Sequence, residues 1–127
     1  RVARRVARRA PAPRAGMERV VRYARAQVGK RYVPGADGPN SFDCSGFTKA
    51  AYAQGGMQLP HSSRAQAARA RNVPQSRARA GDLVVGPGHV GLFMRPGWMI
   101  DAGNRRVGVT YRRIYRGLHV ETFARRR

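Results

Sequence analysis

The spacing of apolar residues changes once along this chain of 127 residues, and that change constrains the fold more than any other feature. In the first part of the chain, apolar side chains recur at intervals of three and four, as on one face of a helix. From Gly81 onward they alternate with polar residues or form short runs between Gly, Pro and Asn, which predicts strands. Helices followed by sequential strands predict an α+β fold with an antiparallel sheet.

The pattern predicts three helices and five strands. The predicted helices cover residues 17–28, 44–54 and 62 to about 71, with a Gly- and Pro-rich loop over 32–40. Gly29 and Gly55-Gly56 supply the stops of the first two helices. The predicted strands cover residues 82–85, 89–94, 98–102, 107–110 and 118–123.

The length fits one folded domain with a single core. Residues 1–16 repeat the unit Val-Ala-Arg-Arg and are predicted to form a basic flexible segment, because Pro11 and Pro13 interrupt any helix. Residues 17–124 are predicted to form the domain, and 125–127 a basic tail. No apolar run approaches the roughly 20 residues needed to cross a bilayer, and no export signal is visible in the Arg-rich start.

The formal net charge of +20 favours an anionic partner. Between the two basic ends, 17 basic and 6 acidic residues remain, so the domain itself is also basic. Only two of the basic residues are lysines, a bias that a GC-rich genome would produce without any functional demand. Nucleic acid, an acidic membrane surface and an anionic cell-wall polymer all fit this charge, and charge does not choose among them.

The single cysteine lies in the segment Phe42-Asp43-Cys44-Ser45-Gly46, where a loop meets the second predicted helix. One cysteine forms no intramolecular disulfide and no Cys-based zinc site. Hydrolysis by a cysteine and a histidine would require neither a metal nor an organic cofactor, so none is predicted. A lone cysteine is more often a small buried apolar residue. At a helix start, however, unpaired N–H groups and the helix dipole favour thiolate over thiol and can bind an oxyanion. Cys44 is therefore predicted to be a nucleophile.

A cysteine nucleophile needs a proton acceptor, and the chain has three histidines. His61 follows Pro60 in a loop, and His119 lies in the last predicted strand, where each could be an ordinary exposed residue. His89 opens a strand between Gly88 and Gly91, which leaves room for another group to approach its imidazole. His89 is therefore the predicted general base.

A third residue should orient that imidazole. If residue 95 is the centre of the hairpin turn at Arg95-Pro96-Gly97, His89 lies directly opposite Asp101 on the same side of the sheet. Asp101 is then the predicted orienting carboxylate. The alternative is that Asp101 only belongs to the turn that follows it.

Five segments together resemble the NlpC family of papain-like cysteine endopeptidases, over about residues 17–123. They are Tyr32, Phe42-Asp43-Cys44-Ser45-Gly46-Phe47, Ser62-Ser63-Arg64-Ala65-Gln66, Gly81-Asp82-Leu83-Val84 with Gly88-His89-Val90-Gly91-Leu92, and Met99-Ile100-Asp101-Ala102. The order and spacing of these motifs make the resemblance specific, and the segment around Cys44 is the strongest of them.

The resemblance implies an antiparallel sheet packed by N-terminal helices, with Cys44 at a helix N-terminus facing His89. It implies hydrolysis of peptidoglycan stem peptides between D-γ-glutamyl and a diamino acid, outside the cell, at the wall or in the periplasm. Tyr32 would lie near the oxyanion site, and Asp43 and Ser45 would hold the free amine of the stem peptide. Ser62 and Gln66, in their matching segment, are also expected to contact substrate.

This sequence departs from the family pattern at two places. The third polar residue is often His, Glu or Gln in the family, and the shorter Asp101 predicts a longer or water-bridged bond to His89. Gly86-Pro87-Gly88 replaces bulkier residues before the histidine. The expected partners are stem peptides and anionic wall polymers, with the protein a monomer. The alternatives are a Cys–His hydrolase or acyltransferase acting on another amide or thioester, and a basic module that binds nucleic acid or wall.

Overall fold

The computed structural model describes the backbone of residues 12–123 and the side chains of residues 16–123. The predictions for the tail 125–127 and for most of the segment 1–16 lie outside these residues. The helices are α1 (Ala12–Gln27), α2 (Cys44–Gln54) and α3 (Ser63–Ala67). The strands are β1 (Arg31–Tyr32), β2 (Ser41–Phe42), β3 (Arg71–Asn72), β4 (Leu83–Gly86), β5 (His89–Arg95), β6 (Trp98–Ala102), β7 (Val109–Arg113) and β8 (His119–Thr122).

Helix α1 starts earlier than the sequence predicted. It begins at Ala12 instead of Met17 and includes Pro13 in its first turn. Proline is compatible with that position, because the first N–H groups of a helix have no partner within it. Val20 and Ala24 are buried on the inner side of α1, as their spacing predicted, whereas Val28 lies beyond the helix and is 44% exposed.

The main sheet has six strands in the order β3-β8-β4-β5-β6-β7, and all its pairs are antiparallel. This confirms the α+β architecture. Two features were not predicted: the short parallel pair β1–β2, whose strands flank the predicted loop 32–40, and β3, which begins where the third helix was predicted to end. Strand β7 continues to Arg113, three residues beyond its predicted end.

The larger of two apolar clusters lies between the helices and the sheet. Phe42, Phe47 and Ala51 contribute from β2 and α2, and Leu92 and Ile100 contribute from the central strands. The smaller cluster comprises Val84, Phe93, Met99 and Val120. Burial of these side chains fixes α2 against β5 and β6, which brings the start of α2 close to His89. No helix within residues 12–123 is long and apolar enough to cross a membrane.

Candidate active site

Cys44 is the first residue of α2, as predicted. Asp43 is the N-cap: its backbone is extended, and its Oδ1 accepts a hydrogen bond from the Gly46 N–H at 2.7 Å. The Cys44 side chain is half-buried, and the dipole of an eleven-residue helix points its positive end at the sulfur. The Cys44 and Ser45 N–H groups have no acceptor among residues 16–123, so both remain available to an oxyanion.

Close contact with the loop before α2 explains why residue 46, two residues after the cysteine, is a glycine. A Cβ at this position would overlap the carbonyl oxygen of Ala36. That same carbonyl accepts a hydrogen bond from the Asp43 N–H at 2.8 Å, and the Gly35 N–H donates to Asp43 Oδ2 at 2.8 Å. The loop before α2 is thus held against the start of the helix.

His89 lies between Cys44 and Asp101. Its Nε2 is 2.7 Å from Asp101 Oδ2, and the Cys44 thiol lies within hydrogen-bonding reach of the same ring. Because Asp101 occupies Nε2, the remaining Nδ1 is the atom available to the sulfur. The three residues predicted from the sequence therefore meet in one constellation.

The predicted register of the hairpin was wrong by two residues. Asp101 lies beside Gly91 and not beside His89, because the pairs Leu92–Ile100 and Phe93–Met99 place the turn further along the chain. A shift by two keeps every side chain on its own side of the sheet, so His89 and Asp101 are diagonal neighbours. Arg95 pairs with Trp98, so the turn itself falls at Pro96-Gly97, and the irregularity between Phe93 and Arg95 then moves the pairing back by one residue.

The bond between His89 and Asp101 is direct, which corrects the expectation of a longer or water-bridged contact. Gly91 makes this possible, since a Cβ on residue 91 would lie only 2.7 Å from the Asp101 Cβ. With no side chain opposite it, the short carboxylate sits close to the sheet and reaches diagonally to the imidazole. The sequence shows a glycine at position 91, but only the pairing of β5 with β6 shows that Asp101 needs the space beside it.

Replacing Gly91 with alanine is expected to lower kcat/KM by about 10- to 100-fold, because the new methyl group displaces Asp101 from His89. Steady-state kinetics of the single variant would measure this loss. In an Asp101→Ala background the same replacement should cost little further activity, since the bond it disturbs is already absent. Equal losses in both backgrounds would contradict this role of Gly91.

Arg112 holds the other side of the Asp101 carboxylate. Its Nε donates to Oδ1 at 2.9 Å and its Nη2 donates to Oδ2 at 2.8 Å, a two-bonded geometry typical of strong arginine–carboxylate pairs. Asp101 is fully buried, so these bonds and the one to His89 compensate for the loss of water. Sequence reasoning missed Arg112 because it ended the strand at Thr110. A longer strand would have placed Arg112 on the side of Asp101.

The surroundings of Asp101 and His89 favour an ionised carboxylate next to a protonated imidazole. Burial alone would raise the pKa of Asp101, but the hydrogen bonds from His89 and Arg112 outweigh it and hold that pKa below its ordinary value. Burial would likewise lower the pKa of His89, but its hydrogen bonds to Asp101 and Cys44, together with their charges, raise it to about 9. His89 is therefore protonated at neutral pH, as an acid that must donate to a leaving amine should be.

The activity is expected to fall at alkaline pH as His89 loses its proton near pH 9. Since Asp101 raises the pKa of His89, the alkaline limb of the kcat/KM profile should move to lower pH in an Asp101→Asn variant. Folding stability should follow the same proton: the contribution of His89 is complete below its ordinary pKa of 6.5 and is lost as the pH rises to about 9. Unchanged alkaline limbs in the two proteins would contradict this assignment.

Tyr32 lies near Cys44, and its place at the oxyanion site stays a prediction of the family resemblance. The two-residue pair β1–β2 places Tyr32 next to Phe42, two residues before Cys44. Burial raises the pKa of Tyr32, and the nearby charges of Cys44 and Asp43 raise it further. The hydroxyl group therefore remains protonated and can donate a hydrogen bond near the sulfur.

The other residues predicted to contact substrate are Ser45, Ser62 and Gln66, and they differ in burial and in hydrogen bonding. Ser45 is buried behind Cys44, while Ser62 caps α3 by accepting a bond from the Ala65 N–H at 3.1 Å. Gln66 is fully buried, and its amide donates to the carbonyls of Ser45 and Pro60 at 3.0 and 2.8 Å. The predicted substrate contact of Gln66 is therefore wrong, because all of its described bonds are inside the protein.

His61 was not chosen as the general base from the sequence, but it lies next to Asp43 at the start of α2. Its Nε2 is 2.8 Å from Asp43 Oδ1, the same oxygen that caps α2. His61 thus supports the loop before the nucleophile rather than the sulfur itself. Within residues 16–123, no group of three His, Cys, Asp or Glu side chains is arranged to hold a metal ion.

Comparison with known proteins identifies relatives of this arrangement. A probable endopeptidase of Corynebacterium glutamicum is 45% identical over 101 residues, which cover 77% of this chain and 48% of that protein. The probable endopeptidase p60 of Listeria innocua is 41% identical over 101 residues, which cover 76% of this chain and 21% of that protein. The chain thus spans about half or less of the length of these curated relatives.

The solved structures agree with the sequence relatives. The peptidoglycan hydrolase RipB of Mycobacterium tuberculosis superposes with a TM-score of 0.80 at 31% identity, over 93% of this chain and 69% of that chain. The NlpC/P60 family matches residues 29–127 of the sequence, a range that includes Cys44, His89 and Asp101. These findings confirm the resemblance drawn from the motifs: the chain belongs to the NlpC/P60 family.

Proposed function

We propose that this chain is a cysteine endopeptidase that hydrolyses peptidoglycan stem peptides between D-γ-glutamyl and a diamino acid. The observation that carries the proposal is the constellation of a cysteine at a helix N-terminus, a histidine within its reach and a buried carboxylate on the far side of that histidine. The names of the relatives, probable endopeptidases and a peptidoglycan hydrolase, support the reaction class and the substrate.

The first half of the reaction transfers the acyl group to sulfur. The Cys44 thiolate attacks the carbonyl carbon of the scissile amide, and a carbon–sulfur bond forms as the oxygen becomes negative. The His89 imidazolium then donates its proton to the amide nitrogen while the carbon–nitrogen bond breaks. The diamino acid leaves as a neutral amine, and the D-γ-glutamyl group remains as a thioester.

The second half returns the enzyme to its starting state. Neutral His89 accepts a proton from a water molecule, whose oxygen attacks the thioester carbon. The carbon–sulfur bond breaks, Cys44 departs as a thiolate, and His89 is again an imidazolium. Asp101 remains ionised throughout and keeps the ring oriented, while Arg112 holds the carboxylate in place.

Three groups can stabilise the oxyanion that forms in both halves. The N–H groups of Cys44 and Ser45 are unpaired within residues 16–123 and lie at the positive end of α2. The Tyr32 hydroxyl supplies a third donor in the proposed site. Because Gly46 and Asp43 fix the first turn of α2, these donors are oriented before substrate binds.

The carboxylate of Asp43 fits the free amine of a stem peptide. Asp43 keeps 17% of its side chain exposed although its oxygens hold Gly35, Gly46 and His61. A carboxylate oxygen has lone pairs for two donors, so an ammonium group can be added to this network. In this proposal the polar groups of Ser45, at the start of α2, help Asp43 to hold the amine. The reaction takes place outside the bacterial cell, at the wall or in the periplasm, with the protein acting as a monomer.

The test uses a soluble stem tripeptide with a D-γ-glutamyl–diaminopimelate bond, together with its α-linked isomer. The wild-type protein should release the diamino acid from the γ-linked peptide only, and heavy-oxygen water should label the new glutamyl carboxylate. Mass spectrometry of the products measures both. A wild-type protein that leaves the peptide intact but cleaves another amide or a thioester through Cys44 would establish the alternative hydrolase instead.

A further inference from the structure

Three arginines surround a pair of neighbouring aromatic rings, tilted by 43° to each other, at the β7 edge of the sheet. Trp98 lies directly between Arg95 on β5 and Arg113 on β7, and their guanidinium carbons lie 5.3 and 5.0 Å from the centre of its ring. The Trp98 ring lies 5.8 Å from that of Tyr111, and Arg25 from α1 lies 5.7 Å from the centre of the Tyr111 ring. We refer to Arg25, Arg95, Trp98, Tyr111 and Arg113 as the arginine–aromatic cluster.

The three arginines of the cluster bring positive charges together without a carboxylate beside them in the described part of the chain. Among residues 16–123, no carboxylate lies within 4 Å of Arg25, Arg95 or Arg113, whereas Arg112 is bound to Asp101. All three arginines are exposed, so their charges face the solvent. Like charges gathered in this way repel one another, and an external anion would relieve that repulsion.

The aromatic rings also prepare the guanidinium groups for binding. Stacking on a ring restricts the long arginine side chain, so less conformational entropy remains to be lost when an anion binds. The planar fork of a guanidinium matches two oxygens of a phosphate group. Arg95 and Arg113 are two strands apart, about 10 Å, which suits an extended polymer with repeated anionic groups better than a single small anion.

The cluster and the proposed catalytic site can be occupied at the same time. Trp98 is three residues from Asp101 along β6, about 10 Å, and Arg95 is six residues from His89 along β5, about 20 Å. A polymer lying along the sheet edge would therefore leave the proposed catalytic site free. It would hold the enzyme beside the stem peptides and raise their effective concentration.

We propose that the arginine–aromatic cluster is a binding site for a phosphodiester-containing anionic polymer of the cell wall. The assignment to the wall rests on the proposed function, which requires the protein to act there. The geometry disfavours single-stranded nucleic acid, because the Trp98 ring is already occupied by two arginines and a neighbouring tyrosine and offers no open face for a base.

The experiment compares two triple variants of equal charge. The first carries Arg25→Gln, Arg95→Gln and Arg113→Gln, and the matched control carries Arg71→Gln, Arg77→Gln and Arg116→Gln. The control positions are also exposed arginines, and they lie on β3 at the opposite edge or in turns outside the cluster. Binding is measured by co-sedimentation with purified walls that carry phosphodiester polymer, and with the same walls after its chemical removal.

Wild-type protein should bind the polymer-bearing walls at least about tenfold more tightly than the stripped walls. The cluster variant should lose about tenfold in affinity, with a shallower salt dependence, while the control variant should lose about threefold or less. A variant with Arg→Lys at the three cluster positions keeps the charge without the fork and should fall between them. Thermal unfolding of each variant confirms that it is folded.

Equal losses in both glutamine variants would overturn the proposal, since only net charge would then matter. It would also be overturned if wild-type protein bound duplex DNA as tightly as walls at the same salt concentration, with the same dependence on the cluster. Hydrolysis of the soluble stem tripeptide should be unchanged in both variants. Absence of hydrolysis in all proteins, with cluster-dependent wall binding retained, would refute the proposed reaction and leave the binding site standing.

Discussion

Replacing Cys44 with serine is expected to lower kcat/KM for the stem tripeptide by at least about 10⁴-fold, or roughly 5 kcal/mol of transition-state stabilisation. A serine hydroxyl is not ionised near neutral pH, and the helix dipole and the charge on His89 do not suffice to deprotonate it. The His89 proton would then have no thiolate to balance it. Steady-state kinetics with mass-resolved products measures the loss.

Cys44→Ala separates chemistry from binding. The alanine variant should bind the tripeptide with nearly the wild-type Kd, because the proposed substrate contacts involve other groups. Since the chain has one cysteine, alkylation of the wild-type thiol must abolish activity with a single mass increment. Retention of more than a tenth of the activity in either variant would remove Cys44 from the reaction.

The second large effect is expected at Asp101. Asp101→Asn should lower kcat/KM by about 10² to 10³-fold, because an amide can present its NH₂ group to His89 and favour the wrong tautomer. The loss is smaller than at Cys44, since the nucleophile and the base both remain. It should be accompanied by the shift of the alkaline limb described above, and by some loss of thermal stability because Arg112 is left without its carboxylate.

Thr110 offers a matched control for Asp101. It lies directly opposite Asp101 on β7, and its hydroxyl oxygen is buried without a partner among residues 16–123. Thr110→Val keeps the shape and removes this unsatisfied group, so activity should stay near wild type and stability should be equal or higher. If the valine variant lost as much activity as Asp101→Asn, general disturbance of β6 and β7 would explain both results.

The sequence was sufficient where one periodicity or one local motif determined the outcome. Helix α2 has its predicted bounds because Asp43 caps it and Gly55 ends it. Strand β6 also has its predicted bounds, since Trp98 to Ala102 lie between two turns. Cys44 could be identified because it lies at the start of a predicted helix, and His89 because it stands between Gly88 and Gly91 at the start of a strand.

The features that sequence reasoning missed depend on contacts between distant segments of the chain, which a single sequence does not show. Strand β3 exists only because β8 pairs with it, about 50 residues later in the chain. The partner of Asp101 required the register, and the register depended on an irregularity near Arg95 that alternation does not reveal. The internal role of Gln66 became visible only from its burial, because glutamine in a polar segment is usually exposed.

The buried amide of Gln66 has a consequence for the motions of the catalytic centre. It connects the loop before α3, through Pro60, to the first turn of α2, and it also accepts a hydrogen bond from Thr48 at 2.6 Å. These segments should therefore open as one cooperative unit, and their amide protons should exchange with solvent at similar protected rates. In that case the nucleophile is held ready in the resting enzyme, and substrate binding need not assemble it.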